Sequence, residues 1–108
     1  MDYKQILNYV FSPIAPVYFE LPVVETARPY IVVEGSAEFK SIWQGDFILN
    51  LHHDSNDLDT PNELLKMGKV TYVDGVFWAH GSINKVNESI SDELNVSLTK
   101  YNMILRGR

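Results

Sequence analysis

The apolar positions of this chain change period along its length, and the changes mark its elements. Tyr3, Ile6, Leu7, Val10 and Phe11 recur at i, i+3, i+4, i+7 and i+8. That spacing lines one face of a helix over residues 2–11. Asp2 puts a negative charge at the end where the helix dipole favours one. Ser12-Pro13 stops the helix, because proline disfavours helical geometry in the residue before it. So short a helix is marginal in water and must pack on something.

Residues 13–29 lose the helical period and carry Pro13, Pro16, Pro22 and Pro29. They read as an extended segment in which Val17-Tyr18-Phe19 can pair at a sheet edge, where proline is tolerated. From residue 30 the pattern is that of strands. Tyr30-Ile31-Val32-Val33 is β-branched and apolar, and Gly35-Ser36 breaks it. Residues 37–43 are a further candidate strand. Gly45-Asp46 reads as a turn. Beyond it Phe47, Leu49 and Leu51 alternate with Ile48, Asn50 and His52, which describes a strand with one buried face. Residues 52–60 are polar and read as a loop.

Thr60-Pro61-Asn62-Glu63 predicts a short inserted helix, with Thr60 as cap, Pro61 in the first helical position and Glu63 completing a capping box. Gly68 can end it. Residues 69–83 read as a hairpin around the turn pair Asp74-Gly75, with Val73 opposite Val76 and Tyr72 opposite Phe77. One face then carries Thr71, Val73, Val76 and Trp78, and the other Val70, Tyr72, Phe77 and Ala79. Both are apolar, so the second face asks for a helix or a partner subunit. Residues 84–92 read as a polar connection. Leu94, Val96 and Leu98 alternate, as do Tyr101, Met103 and Leu105, and the slip between them predicts a β-bulge near Thr99-Lys100. The sum is a mainly β chain, a small β-barrel or compact sandwich with an N-terminal helix and a short inserted helix. It forms a single domain over residues 1–108. Residues 1–12 are the N-terminal helix, 13–29 the proline-rich extended segment and 30–108 the β core.

Composition narrows the function. The balance of 45% hydrophobic and 21% charged residues is that of a globular chain rather than a disordered one. No cysteine is present, which excludes disulfides, thiolate zinc sites and cysteine nucleophiles and fits a reducing compartment. A net charge of −5 argues against gripping nucleic acid, which needs a basic face. No apolar run approaches the roughly 18 residues of a membrane span. Met1-Asp2-Tyr3-Lys4-Gln5 lacks the basic start and apolar core of a secretory leader, so none is expected.

The chemistry-bearing residues form no strong constellation. His52, His53 and Asp54 are the best candidate metal ligands. Neighbours on a strand point to opposite faces, however, so the two imidazoles do not share an ion there, and structural roles are expected. Asp54, Asn56, Asp57 and Asp59 invite a calcium reading, but starting from Asp54 the pattern puts Leu58 at a ligand position and Asp59 where the loop glycine belongs. No Gly-x-Ser-x-Gly elbow accompanies the serines. His80, beside Gly81, reads as a satisfied polar residue. Neither catalysis nor a cofactor is expected. Trp43, Trp78, Tyr30, Phe77 and Tyr101 read mainly as core, with Trp43 a candidate interface anchor.

The second half has a recognisable order. A strand and polar loop over Phe47 to Asp59 lead through Leu64-Leu65-Lys66-Met67-Gly68 into Lys69-Val70-Thr71-Tyr72-Val73-Asp74-Gly75-Val76-Phe77-Trp78, and a long terminal strand closes the chain. Over roughly residues 30–105 this resembles the neck proteins of long-tailed bacteriophages, the head-completion or head–tail joining family. Tyr30-Ile31-Val32-Val33-Glu34-Gly35-Ser36 and Phe77-Trp78 are similar to stretches of the tail-attachment type. The N-terminal helix and proline-rich stretch fit the tail-terminator family as well. The resemblance implies a virion protein made in the host cytoplasm, whose copies form a six- or twelve-fold ring that meets portal or adaptor and tail proteins. Trp43, Val73, Val76, Trp78, Asp57, Asp59 and Arg106 are then the expected interface residues. The rival readings are an acidic inhibitor of the immunity type, a metal-dependent enzyme at His52, His53 and Asp54, and an oligosaccharide-binding barrel that uses its aromatics.

Overall fold

A computed structural model describes residues 3–24, 26–35, 43–67, 69–74, 77–91 and 95–107, without the side chains of residues 43, 69–74, 77–80, 90 and 91. The chain is mainly β, with an N-terminal helix and a short inserted helix. Helix α1 spans Tyr3–Phe11; of the stripe that its spacing predicts, Ile6, Leu7 and Phe11 are buried and Tyr3 and Val10 are partly buried against the core. It ends where Ser12-Pro13 requires.

Among the described residues six strands follow: β1 (Val17–Tyr18), β2 (Tyr30–Glu34), β3 (Trp43–Asp54), β4 (Lys69–Asp74), β5 (Phe77–Ser91) and β6 (Val96–Gly107), with helix α2 (Asp59–Lys66) between β3 and β4. They make one sheet in the order β1-β2-β3-β6-β5-β4. β1 runs parallel to β2, and the other neighbours are antiparallel. β1 and β4 are the two edges, and α1 touches both. The sheet therefore curls around α1, and the helix stands where a barrel would close strand on strand. Phe47, Leu49, Leu51, Ile31, Val33, Tyr101, Met103 and Leu105 face inward and form one core with Ile6, Leu7 and Phe11 of α1 and Leu64 of α2. Burying such side chains is worth roughly 1.5–3 kcal/mol each, which holds so short a helix in place.

Several local expectations give way. Gly45 and Asp46 do not turn; they lie inside β3, opposite Leu105 and Ile104 of β6. Leu105 also faces Gly81 of β5, so a glycine stands on each side of it in the sheet. At Gly81 a Cβ would come within 3.1 Å of Leu105 Cδ1 and 2.7 Å of the Ile104 carbonyl oxygen. That glycine makes room for a core side chain rather than reversing the chain. The polar run 52–60 splits, since β3 continues through Asp54 and α2 begins at Asp59.

Thr60 does not cap α2. Asp57 does: its two carboxylate oxygens accept from the Thr60 amide at 3.1 Å and the Thr60 hydroxyl at 2.7 Å. Burial pushes the Asp57 carboxyl up, but the Thr60 bonds, with nearby His53 and the Asp59 amide, together outweigh it and leave its pKa below the ordinary value. Tyr101 ties α2 to the sheet by donating to the Pro61 carbonyl at 3.0 Å, and burial together with the nearby Glu88 charge raises its phenol to about 12.

In the β4–β5 ladder Asp74 pairs with Phe77, Val73 with Trp78 and Tyr72 with Ala79. The expected register is thus displaced by two residues. Residues 75 and 76, and the side chains around the hairpin, fall outside the described set, so its two apolar faces do as well. Residues 84–91, read as a connection, continue β5 against β6. The irregularity lies in β5, between Lys85 and Asn87, and not at Thr99-Lys100. β6 alternates without a slip. Its inner row begins with Ser97 and Thr99, small polar residues that meet buried His53, while Val96 and Leu98 belong to the outer row.

Candidate functional site

The outer face of the sheet is where the described side chains make a concave surface. β2, β3 and β6 contribute Val32, Asn50, His52, Leu98 and Lys100, and the chain leaving β1 folds over them with Phe19, Glu20 and Leu21. The groove measures about 530 Å³, within the range of roughly 300–1,000 Å³ that ligand sites occupy. Its floor is fixed by Asn50, which is buried and donates from Nδ2 to the Val32 carbonyl at 3.2 Å.

His52, in the lining, belongs to a cluster of rings. Tyr30 and His52 face each other across the β2–β3 ladder and stack, and Tyr18 meets Tyr30 edge-on at 5.9 Å. Burial lowers the His52 pKa, and the proximity of Arg28 and then His53 lowers it further. Its imidazole is therefore neutral at neutral pH. Glu20, Glu34 and Lys100 add charges of both signs to the lining. Leu21, part of the lining, is 64% exposed, and just beyond it in the chain Val23 and Val24 are 100% and 72% exposed.

The predicted metal ligands are separated by the strand's alternation. His52 lies outside, stacked on Tyr30. His53 lies inside and is buried, with Nδ1 2.8 Å from the Asp54 carbonyl oxygen and Nε2 2.8 Å from Thr99 Oγ1. A carbonyl oxygen only accepts, so Nδ1 donates to it. Asp54 binds Arg28 at 2.8 Å. Among the described residues no three His, Asp or Glu side chains converge on one point.

The predicted interface residues are also scattered. Asp57 caps α2, and Asp59 begins it and is exposed. Arg106 is exposed and donates to Gln44 Oε1 at 3.0 Å. Asp57 follows Asp54, whose ladder partner is Val96, at the opposite end of β6 from Arg106. The two ends lie about 33 Å apart at ordinary strand rise. Trp43 opens β3, Val73 lies in β4 and Trp78 in β5; their side chains, and Val76 altogether, are outside the described residues.

Sequence reasoning missed the groove because Val32, Asn50, His52, Leu98 and Lys100 come from three strands distant in the chain. The available signal was the second row of each alternating strand, where Ile48, Asn50 and His52 of β3 oppose Asn102, Lys100 and Leu98 of β6. No family model matches this chain, and no curated protein matches its sequence.

Proposed function

We propose that this protein is a docking component rather than a catalyst, and that it serves as a structural protein of a phage neck. Its copies form a ring that joins or closes the head–tail junction. One observation carries the docking reading: Leu21, in the lining of a partly apolar groove, is exposed, the chain just beyond it exposes Val23 and Val24 as well, and Ile48 is exposed at 40% on the outer row of β3. Consecutive exposed valines keep apolar surface in water that a partner would cover. The mixed lining of Glu20, Glu34, Asn50 and Lys100 suits polar register-setting around such a contact. The neck assignment rests on the order of elements in residues 30–105, and the acidic balance suits a channel past which DNA must slide.

Electron microscopy of the protein mixed with portal and tail proteins tests the ring. Closed rings are expected, and V23D/V24D disperses them because two carboxylates enter a dry contact. A chain that forms no ring at any concentration, alone or with portal and tail proteins, overturns the neck reading.

A further inference from the structure

β5 is the longest strand, and its two sides are not equally occupied. β6 pairs with it from Ala79 to Ser91. β4 lies along the other side only as far as Ser82. Among the described residues nothing pairs with 83–91 on that second side, and every residue from Asn84 to Ser89 is exposed. Free N–H and C=O groups along such an edge are a template for another strand.

The bulge decides which strand fits. In a regular strand, residues an odd number of positions apart point to opposite faces. Here Lys85 pairs with Tyr101 and Asn87 with Lys100, so Val86 is an extra residue that resets the alternation. Lys85 and Glu88 consequently share a face, and Lys85 Nζ reaches Glu88 Oε2 at 2.7 Å. Asn84, Asn87 and Ser89, opposite Asn102, Lys100 and Leu98, belong to the other face.

A second copy laid antiparallel, with the two-fold axis between Val86 and Asn87, sets Lys85 against Glu88 and Asn84 against Ser89. Each pair lies on one face, which holds only because of the extra residue. We infer that segment 83–91 is a self-pairing edge through which two copies of this chain form a two-fold dimer with a continuous sheet. A lysine on an edge ordinarily repels its own copy. Here Glu88 arrives opposite it, and the two Lys85–Glu88 pairs make an alternating cluster of four charges, the arrangement that favours cross-strand pairing. A two-fold pair has no polarity, whereas a head-to-tail ring has one. The dimer is therefore the state of the unassembled chain and stands or falls separately from the neck reading.

Sedimentation velocity of the full chain over a concentration series tests this. A monomer–dimer equilibrium that weakens with salt is expected. K85E brings four carboxylates together and should weaken dimerisation by about tenfold or more, while K85E/E88K should recover it to within a few-fold. Both positions are exposed, and circular dichroism checks that the variants fold. In N84C/S89C the two cysteines of one chain lie about 15 Å apart along the strand, too far for an internal disulfide, so oxidation should give a disulfide-linked dimer. A wild-type chain that stays monomeric at millimolar concentration overturns the inference. So does a K85E variant that associates like wild type, a double variant that does not recover, or an N84C/S89C variant that does not cross-link.

Discussion

Tyr30 and His52 stack across the β2–β3 ladder with ring centroids 4.6 Å apart and planes within 7° of parallel. The contact joins the end of the proline-rich segment to the central strand, and it buries an imidazole at the mouth of the groove.

That burial makes stability depend on pH. The His52 pKa is lowered, by burial first and then by Arg28 and His53. The unfolded chain therefore takes up its proton before the folded one does. The contribution is fully present above the unfolded value of about 6.5, and it is lost as pH falls through the lower folded value. Thermal melts between pH 5 and 8 should show stability declining toward acid. H52F keeps a ring against Tyr30 and removes the proton, so it should flatten that decline. R28A removes a repelling charge, so the His52 resonance followed by NMR should titrate at higher pH than in wild type. The Arg28–Asp54 pair is itself largely exposed, so R28A should change stability at pH 7 by no more than about 1 kcal/mol.

Gly35 occupies the left-handed region at φ +110, and a Cβ there would run into the Asp46 carbonyl oxygen and crowd Phe47. Strain and overlap act together, so G35A should destabilise the protein by about 2 kcal/mol or more. Urea unfolding measures it. An unchanged midpoint would mean that β2 and β3 part easily at this point.

The elements legible in the sequence were those in which local pattern and tertiary packing agree. The α1 stripe packs on the core as spaced, and Tyr30 to Val33 and Phe47 to Leu51 are strands. The misread parts share one cause: the residue types report local preference, whereas long-range pairing decides the outcome. Gly45 looks like a turn residue, yet it sits across from Leu105 inside the ladder. Residues 84–91 look like a loop because most are polar, yet a strand with exposed faces needs only its backbone bonds to β6. The apparent slip at Thr99-Lys100 arises because Ser97 and Thr99 occupy core positions, where an apolar residue would have shown the true period. Thr99 has a reason to be polar, since its hydroxyl meets Nε2 of the buried His53. That requirement depends on which strand lies beside β3, and the chain order does not state it.

The two polar neighbours of that inner row should respond in opposite ways to substitution. His53 is buried with both ring nitrogens engaged, one by the Asp54 carbonyl and one by Thr99. H53A removes those partners and leaves a void, so it should cost about 2–4 kcal/mol. H53L refills most of the space but strands the Thr99 hydroxyl and the carbonyl, and should still cost about 1–3 kcal/mol. Ser97 pairs with His53 in the ladder, yet its Oγ is buried with no hydrogen-bond partner among the described residues. S97A deletes a hydroxyl that is desolvated for no return, so it should be neutral or stabilising by up to about 1 kcal/mol. Chemical denaturation of the three variants separates the contributions. If H53L matches wild type, or if S97A proves as costly as H53A, this inner polar row is held by something other than the His53 bonds.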